Sequence, residues 1–112
     1  MTTYSVEPEV SSLVFDAAGL IPAIVQDSLS QQVLMLGYMN RESLDLSIET
    51  KLVTFWSRSR SELWEKGQTS GNTLSIVDIS TDCDFDALLI LATPAGPTCH
   101  TGQTSCFEIH EN

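Results

Sequence analysis

A chain of 112 residues, 42% of them apolar, has room for one globular domain with its own core and too little for two. No apolar run approaches the roughly 18 residues that a membrane-spanning helix needs. A net charge of -10 excludes general attraction to nucleic acid or an anionic membrane, because both need clustered cations.

Taken in chain order, MTTYSVEPEVSSLVF lacks a basic region, a long apolar stretch and a small-residue cleavage site, so no secretory signal is expected and a cytoplasmic location follows. The runs LIPAIVQD, QVLMLGYM, KLVTFWS, NTLSIVDI and DALLILAT are short, rich in branched and aromatic residues, and bounded by Gly, Asn, Ser and Asp. They read as strands. Between the second and third, NRESLDLSIETK reads as a helix, with Asn40 as N-cap, Glu42 in the first turn and Leu44 and Ile48 spaced four apart. SELWEK, residues 61–66, reads as a further helical turn within SRSRSELWEKGQTSGN, a polar, glycine-bearing segment expected to be a working loop. The expected class is α+β, mainly antiparallel β-sheet with one or two helices, in a single domain over 1–112 with 1–11 and 108–112 as flexible ends.

Charge and cysteine are unevenly placed. Of five cations, Lys51, Arg58, Arg60 and Lys66 fall within sixteen residues, a pattern that suits a small phosphorylated ligand better than a polymer. All three cysteines lie in DCDFD and GPTCHTGQTSC. Without an export signal they are expected as reduced thiols, free for metal binding, catalysis or burial. If DCDFD is a strand, Asp82, Asp84 and Asp86 share one face and Cys83 and Phe85 the other. Carboxylates suit Mg2+ and thiolates suit Zn2+, so two metal sites back to back are the sharp expectation; a solvated acidic strand start is the plain one. On a straight strand the outer aspartates would stand about 13 Å apart, too far for one ion unless the chain bends. An EF-hand is excluded, since its loop needs Gly and Glu where Ala87 and Thr93 stand. Cys83, Cys99 and Cys106 could supply three zinc ligands and leave the fourth position open, as catalytic zinc requires. Cys83 alone could equally be core, whereas Cys99 and Cys106 sit in a loop too polar for burial. His100 could be a fourth ligand, a general base or a surface residue; His110 reads as exposed.

The blocks GLIPAIVQD, LMLGYMNRESL, TFWSRSRSELWEKGQTSGN, DCDFDALL and GPTCHTGQTSCF resemble, in order, those of the phosphoribosyl-AMP cyclohydrolase family of histidine biosynthesis. The resemblance spans about residues 13 to 107. It implies an intertwined homodimer with shared active sites that hydrolyses the N1 to C6 bond of the adenine ring of phosphoribosyl-AMP with Zn2+ and Mg2+. Carried over, zinc takes Cys83 from one chain with Cys99 and Cys106 from the other, and magnesium takes Asp82, Asp84 and Asp86. Gly37, where alanine is more usual, and Phe55, where tyrosine is common, depart from the pattern and are expected to lie away from the chemistry. Some relatives are fused to a pyrophosphohydrolase domain; that step is expected on another polypeptide here.

On this reading His100 is the candidate base, and Arg58, Arg60 and Lys66 neutralise phosphate. Trp56 and Trp64 could stack on the purine or simply pack. Thr69, Ser70, Gly71 and Asn72 offer hydroxyls, an amide and free backbone to phosphate or ribose. Two other classes fit the same residues: a non-catalytic zinc-stabilised binding module closed by a fourth ligand, and a different zinc hydrolase or deaminase acting on nucleotides, although the H-x-E and P-C-x-x-C pattern of the deaminases is missing.

Overall fold

A computed structural model describes residues 12–107; the ends read as flexible, and His110 with them, lie outside the described residues. Six strands and one helix follow in the order β1 (Ile21–Asp27), β2 (Val33–Met39), α1 (Arg41–Thr50), β3 (Thr54–Ser57), β4 (Glu62–Glu65), β5 (Leu74–Thr81) and β6 (Leu88–Pro94). Strands β1, β2, β5 and β6 form one sheet in the order β2-β1-β6-β5, and β3 and β4 form a hairpin. Only β1 and β6 run parallel; the other three pairings are antiparallel. This is the expected α+β class.

Alternation sets the sheet's inner face. Ile21, Ala23 and Val25 of β1 are buried, as are Leu88, Ile90 and Ala92 of β6, and the residues between them are half-buried. These six join Leu34, Met39, Leu44, Val53, Phe55 and Leu74 in one core cluster.

The helix forms where its sequence predicts. The Asn40 side chain accepts from the Ser43 N–H at 2.8 Å while the Ser43 hydroxyl accepts from the Asn40 N–H at 2.9 Å, a reciprocal cap. It ends at Lys51, whose φ of 64° places it in the left-handed region. That residue was read as the start of a strand; the strand begins instead at Thr54. Buried Ser47 ties α1 to β3: its hydroxyl accepts from the Thr54 N–H at 2.9 Å and lies 2.8 Å from the Ser43 carbonyl and 3.1 Å from the Thr54 carbonyl, to which it donates.

Two expectations are overturned. SELWEK is not helical, because Glu62–Glu65 pairs with Thr54–Ser57 and sets Trp64 opposite Phe55, with ring centroids 5.8 Å apart. Cross-strand aromatic pairing outweighs the local helix propensity of Glu, Leu and Lys. The working loop is therefore a hairpin followed by a shorter loop, residues 66–73. Nor is DCDFD a strand. β5 ends at Thr81 and residues 82–87 form a turn, in which the Phe85 N–H bonds the Asp82 carbonyl at 3.2 Å and the Asp86 N–H bonds Asp82 Oδ1 at 3.1 Å. Phe85 has φ of 60°, so alternating faces do not apply. Aspartate favours such turns because its carboxylate accepts from backbone N–H groups just ahead of it.

Gly37 and Phe55 meet. A Cβ on Gly37 would lie 2.6 Å from the Phe55 ring, so the ring occupies the space that any larger residue at 37 would need.

Replacing Ser47 by Ala leaves the buried Thr54 N–H without an acceptor, and is expected to destabilise the protein by about 1–3 kcal/mol, measurable by urea denaturation at unchanged m-value.

Candidate active site

The Asp turn collects its carboxylates. One oxygen from each of Asp82, Asp84 and Asp86 lies within 4.8 Å of the others, and all three residues are exposed. Octahedral Mg2+ holds its oxygens at about 2.1 Å, which sets adjacent ligands about 3 Å apart and opposite ones about 4.2 Å apart, so the turn must draw in further to close all three on one ion. The donor type fits a hard cation. The bend removes the 13 Å separation that a straight strand would impose.

Crowding splits the pair at the ends of the turn. Slight desolvation opposes charge on Asp82, but hydrogen bonds from the Asp86 N–H, the Asp86 carboxyl and the Ala87 backbone outweigh it and hold Asp82 below the ordinary carboxylate value. Asp86 is pushed up, first by its hydrogen bond to Asp82, then by the charges of Asp82 and Asp84 and by desolvation. Each of these neighbouring carboxylates thus titrates under the influence of the other.

At the other end of β6, residues 95–107 form the cysteine loop. Its tip is a tight turn: the Cys99 N–H bonds the Gln103 carbonyl at 3.1 Å, the Gly102 N–H bonds the Cys99 carbonyl at 2.9 Å, and Gly102 takes φ of 93°. The loop is anchored on β2, where the Ser105 hydroxyl donates to the Val33 carbonyl at 2.6 Å and the Cys106 N–H to the Leu34 carbonyl at 2.8 Å. This geometry brings the Cys99 and Cys106 thiols into hydrogen-bonding contact.

The two sulfurs differ. The Thr101 hydroxyl lies 3.1 Å from Cys99 Sγ and lowers its pKa, helped by the Thr101 backbone, by Cys106 and by the charge of Lys66. Cys106 is exposed as a residue, but partial burial of its thiol, followed by the charge and hydrogen bond of Cys99, pushes it up, with Lys66 opposing. Two adjacent soft donors fit zinc. Cys83 is exposed on the Asp turn, which sets aside its reading as a core residue. The three sulfurs do not gather in one chain, since the aspartates are the sole such group among the described residues.

A cavity of about 310 Å³ opens beside the cysteine loop. Lys66, Thr69, Ser70 and Asn72 line it from one side and Thr98, Cys99 and His100 from the other. A larger cavity of about 640 Å³ holds Trp56 and Arg58 with Tyr38, Gly37 and Phe55. Trp64 lines both. Arg58 stands over the Tyr38 ring at 3.9 Å, a stacking geometry that holds the guanidinium in place. Among the described residues no carboxylate pairs with it. Lys66 lies 5.3 Å from the Trp64 ring.

Some expected residues fall elsewhere. Arg60 is exposed, pairs with Glu62 at 3.6 Å, and lines neither cavity. Gly71 also lines neither; its φ of 82° turns the loop between Ser70 and Asn72. Gly37 and Phe55, expected away from the chemistry, line the larger cavity, which holds neither thiol nor carboxylate. Sequence reasoning missed Tyr38 and Thr98. Tyr38 could have been found from its alternation with buried Met39 on β2, which turns it to the opposite face.

Residues 35–108 match the family described as phosphoribosyl-AMP cyclohydrolase. This chain belongs to that family. Among similar proteins, the histidine biosynthesis bifunctional protein HisIE of Bacillus subtilis is 57% identical over 99 residues, covering 88% of this chain and 47% of that protein. The HisIE of Photobacterium profundum is 58% identical over 90 residues, and that of Escherichia coli K12 60% over 89; each alignment covers 80% of this chain and 44% of the relative. The chain thus spans about half the length of these bifunctional relatives. Each of these relatives is a histidine biosynthesis protein by name, and among the described residues of this chain no helix is long and apolar enough to cross a membrane.

Two outcomes follow. A raised Asp86 pKa means the folded protein keeps a proton that the unfolded chain has released, so its contribution to stability declines as pH rises through the carboxylate range. Asp86→Asn is accordingly expected to raise the melting temperature of metal-free protein at neutral pH while weakening Mg2+ binding, as seen by calorimetric titration. In metal-free protein Cys99 should alkylate faster than Cys106 near pH 7, followed by mass spectrometry, because thiolate is the reactive form.

Proposed function

We propose that the protein hydrolyses the N1 to C6 bond of the adenine ring of 1-(5-phosphoribosyl)-AMP, in the cytoplasm, as a homodimer dependent on zinc and magnesium. The observation that carries this reading is the smaller cavity, whose walls combine the Cys99 thiol, an exposed imidazole, a cation and several hydroxyls. Ring opening needs each of these chemistries.

Water adds to C6, the C6 to N1 bond breaks, C6 keeps the oxygen as a carboxamide, and N1 leaves with its ribose and gains a proton. His100, at the cavity wall, takes the proton from the attacking water and returns one to N1. Cys99 and Cys106 would hold zinc with the partner subunit's Cys83, and Asp82, Asp84 and Asp86 would hold magnesium. Bound zinc supplies Lewis acidity that lowers the pKa of water, and magnesium neutralises phosphate charge. Support for a shared site comes from strand length: β6 has seven residues, so its ends stand about 20 Å apart, with Cys83 before one end and Cys99 and Cys106 beyond the other.

Two cavities suit a substrate with two phosphoribosyl ends. Lys66, Thr69, Ser70 and Asn72 receive the end nearer the thiols, and Arg58 with Trp56 receives the other, Trp64 standing between them. An arginine held on an aromatic face loses little freedom on meeting phosphate bidentately.

The reading is tested with purified protein, Zn2+, Mg2+ and phosphoribosyl-AMP, following ultraviolet absorbance as the ring opens. Turnover that a zinc chelator abolishes and zinc restores is expected, and His100→Ala should lower kcat by about 10²–10⁴-fold. A folded, metal-loaded sample without turnover would overturn the reading and favour a zinc-stabilised binding module.

A further inference from the structure

Thr98 is 2% exposed and lines the smaller cavity. Among the described residues its Oγ1 is the one buried side-chain oxygen or nitrogen without a hydrogen-bond partner. The backbone leaves little room to relax, because the Thr98 N–H bonds the Thr104 carbonyl at 3.2 Å and the Cys99 N–H next to it bonds the Gln103 carbonyl. A buried hydroxyl without a partner costs stability that valine, its near-isostere, would not. Nothing in the packing of the loop requires the oxygen.

We propose that Thr98 is a substrate-contacting residue, whose hydroxyl donates a hydrogen bond to an oxygen of the phosphoribosyl end seated in the smaller cavity. The proposal rests on the cyclohydrolase reading and adds to it a residue that charge and metal chemistry do not single out. The neighbours point to the ligand class: Lys66 supplies charge, Thr69 and Ser70 supply hydroxyls, and Asn72 an amide, a set that suits phosphate and sugar oxygens. One staggered step of χ1 carries the Thr98 hydroxyl into the place of its methyl group and the methyl into that of the Cβ hydrogen, so the oxygen has a second rotamer from which to meet a ligand in the cavity. The methyl stays useful as packing, which explains threonine rather than serine.

The test compares Thr98→Val and Thr98→Ser with wild type in thermal unfolding without substrate and in steady-state turnover of phosphoribosyl-AMP. Thr98→Val should unfold at the same or a higher temperature and lose about tenfold in kcat/KM, mainly through KM. Thr98→Ser should stay within about twofold of wild type in kcat/KM. Unchanged kcat/KM in Thr98→Val overturns the proposal. So does a lower melting temperature in that variant, which would mean that the hydroxyl already has a partner inside the protein, and so does a Thr98→Ser variant as impaired as Thr98→Val. Wild-type protein without turnover would sink the underlying reading instead, and that is seen before any variant is compared.

Discussion

The pairing of β6 between β1 and β5 is the constraint on which the chemistry depends. One edge of this strand runs parallel to β1 from Leu88 to Ala92, the other antiparallel to β5 from Leu88 to Pro94, and its inward side chains Leu88, Ile90 and Ala92 are almost wholly buried. Hydrogen bonds on both edges and burial of one face hold the strand in register, because a one-residue slip would turn Leu88, Ile90 and Ala92 out of the core. The carboxylate turn therefore sits at a fixed place before it and the cysteine loop at a fixed place beyond it. Hard and soft donors are separated by strand length, rather than by the two faces of one strand.

Each loop then carries a local strain that its ligands would relieve. Three carboxylates within 4.8 Å of one another repel, and the turn tolerates them because they are exposed to water and because backbone N–H groups meet the Asp82 carboxylate. In the cysteine loop, Thr101 and Lys66 favour charge on Cys99, and Cys106 remains the proton-bearing partner. One loop concentrates carboxylates and the other eases deprotonation of a thiol, and both favour binding of a cation.

Much of this was legible in the sequence. The five apolar runs became strands, and Asn40 began the helix, because burial pattern and capping are local signals. DCDFD misled because polar and apolar residues alternate through a turn as readily as through a strand; the aspartates themselves, poor strand formers, were the better signal. SELWEK misled because its strand character comes from Phe55 across the hairpin, which no local window contains. Clustering of Lys66, Thr69, Ser70 and Asn72 with His100 follows from the loops flanking β4 and β6, so the residue types were readable and their division into two cavities was not. Thr98 was invisible, since burial without a partner is a property of three dimensions only.

Gly37 and Phe55 show how fold and site are joined. Each looks like a neutral departure when read alone. In space the Phe55 ring fills the volume above Gly37, leans on Trp64 at 5.8 Å, and Trp64 forms part of both cavities. A side chain at 37 would have to displace a buried aromatic ring, and packed interiors transmit such a displacement instead of absorbing it. The wall between the two cavities is thereby set by a residue on β2 that touches neither thiol nor carboxylate. On the proposed reading, the spacing between the two ends of the ligand is a matter of core packing as much as of surface chemistry.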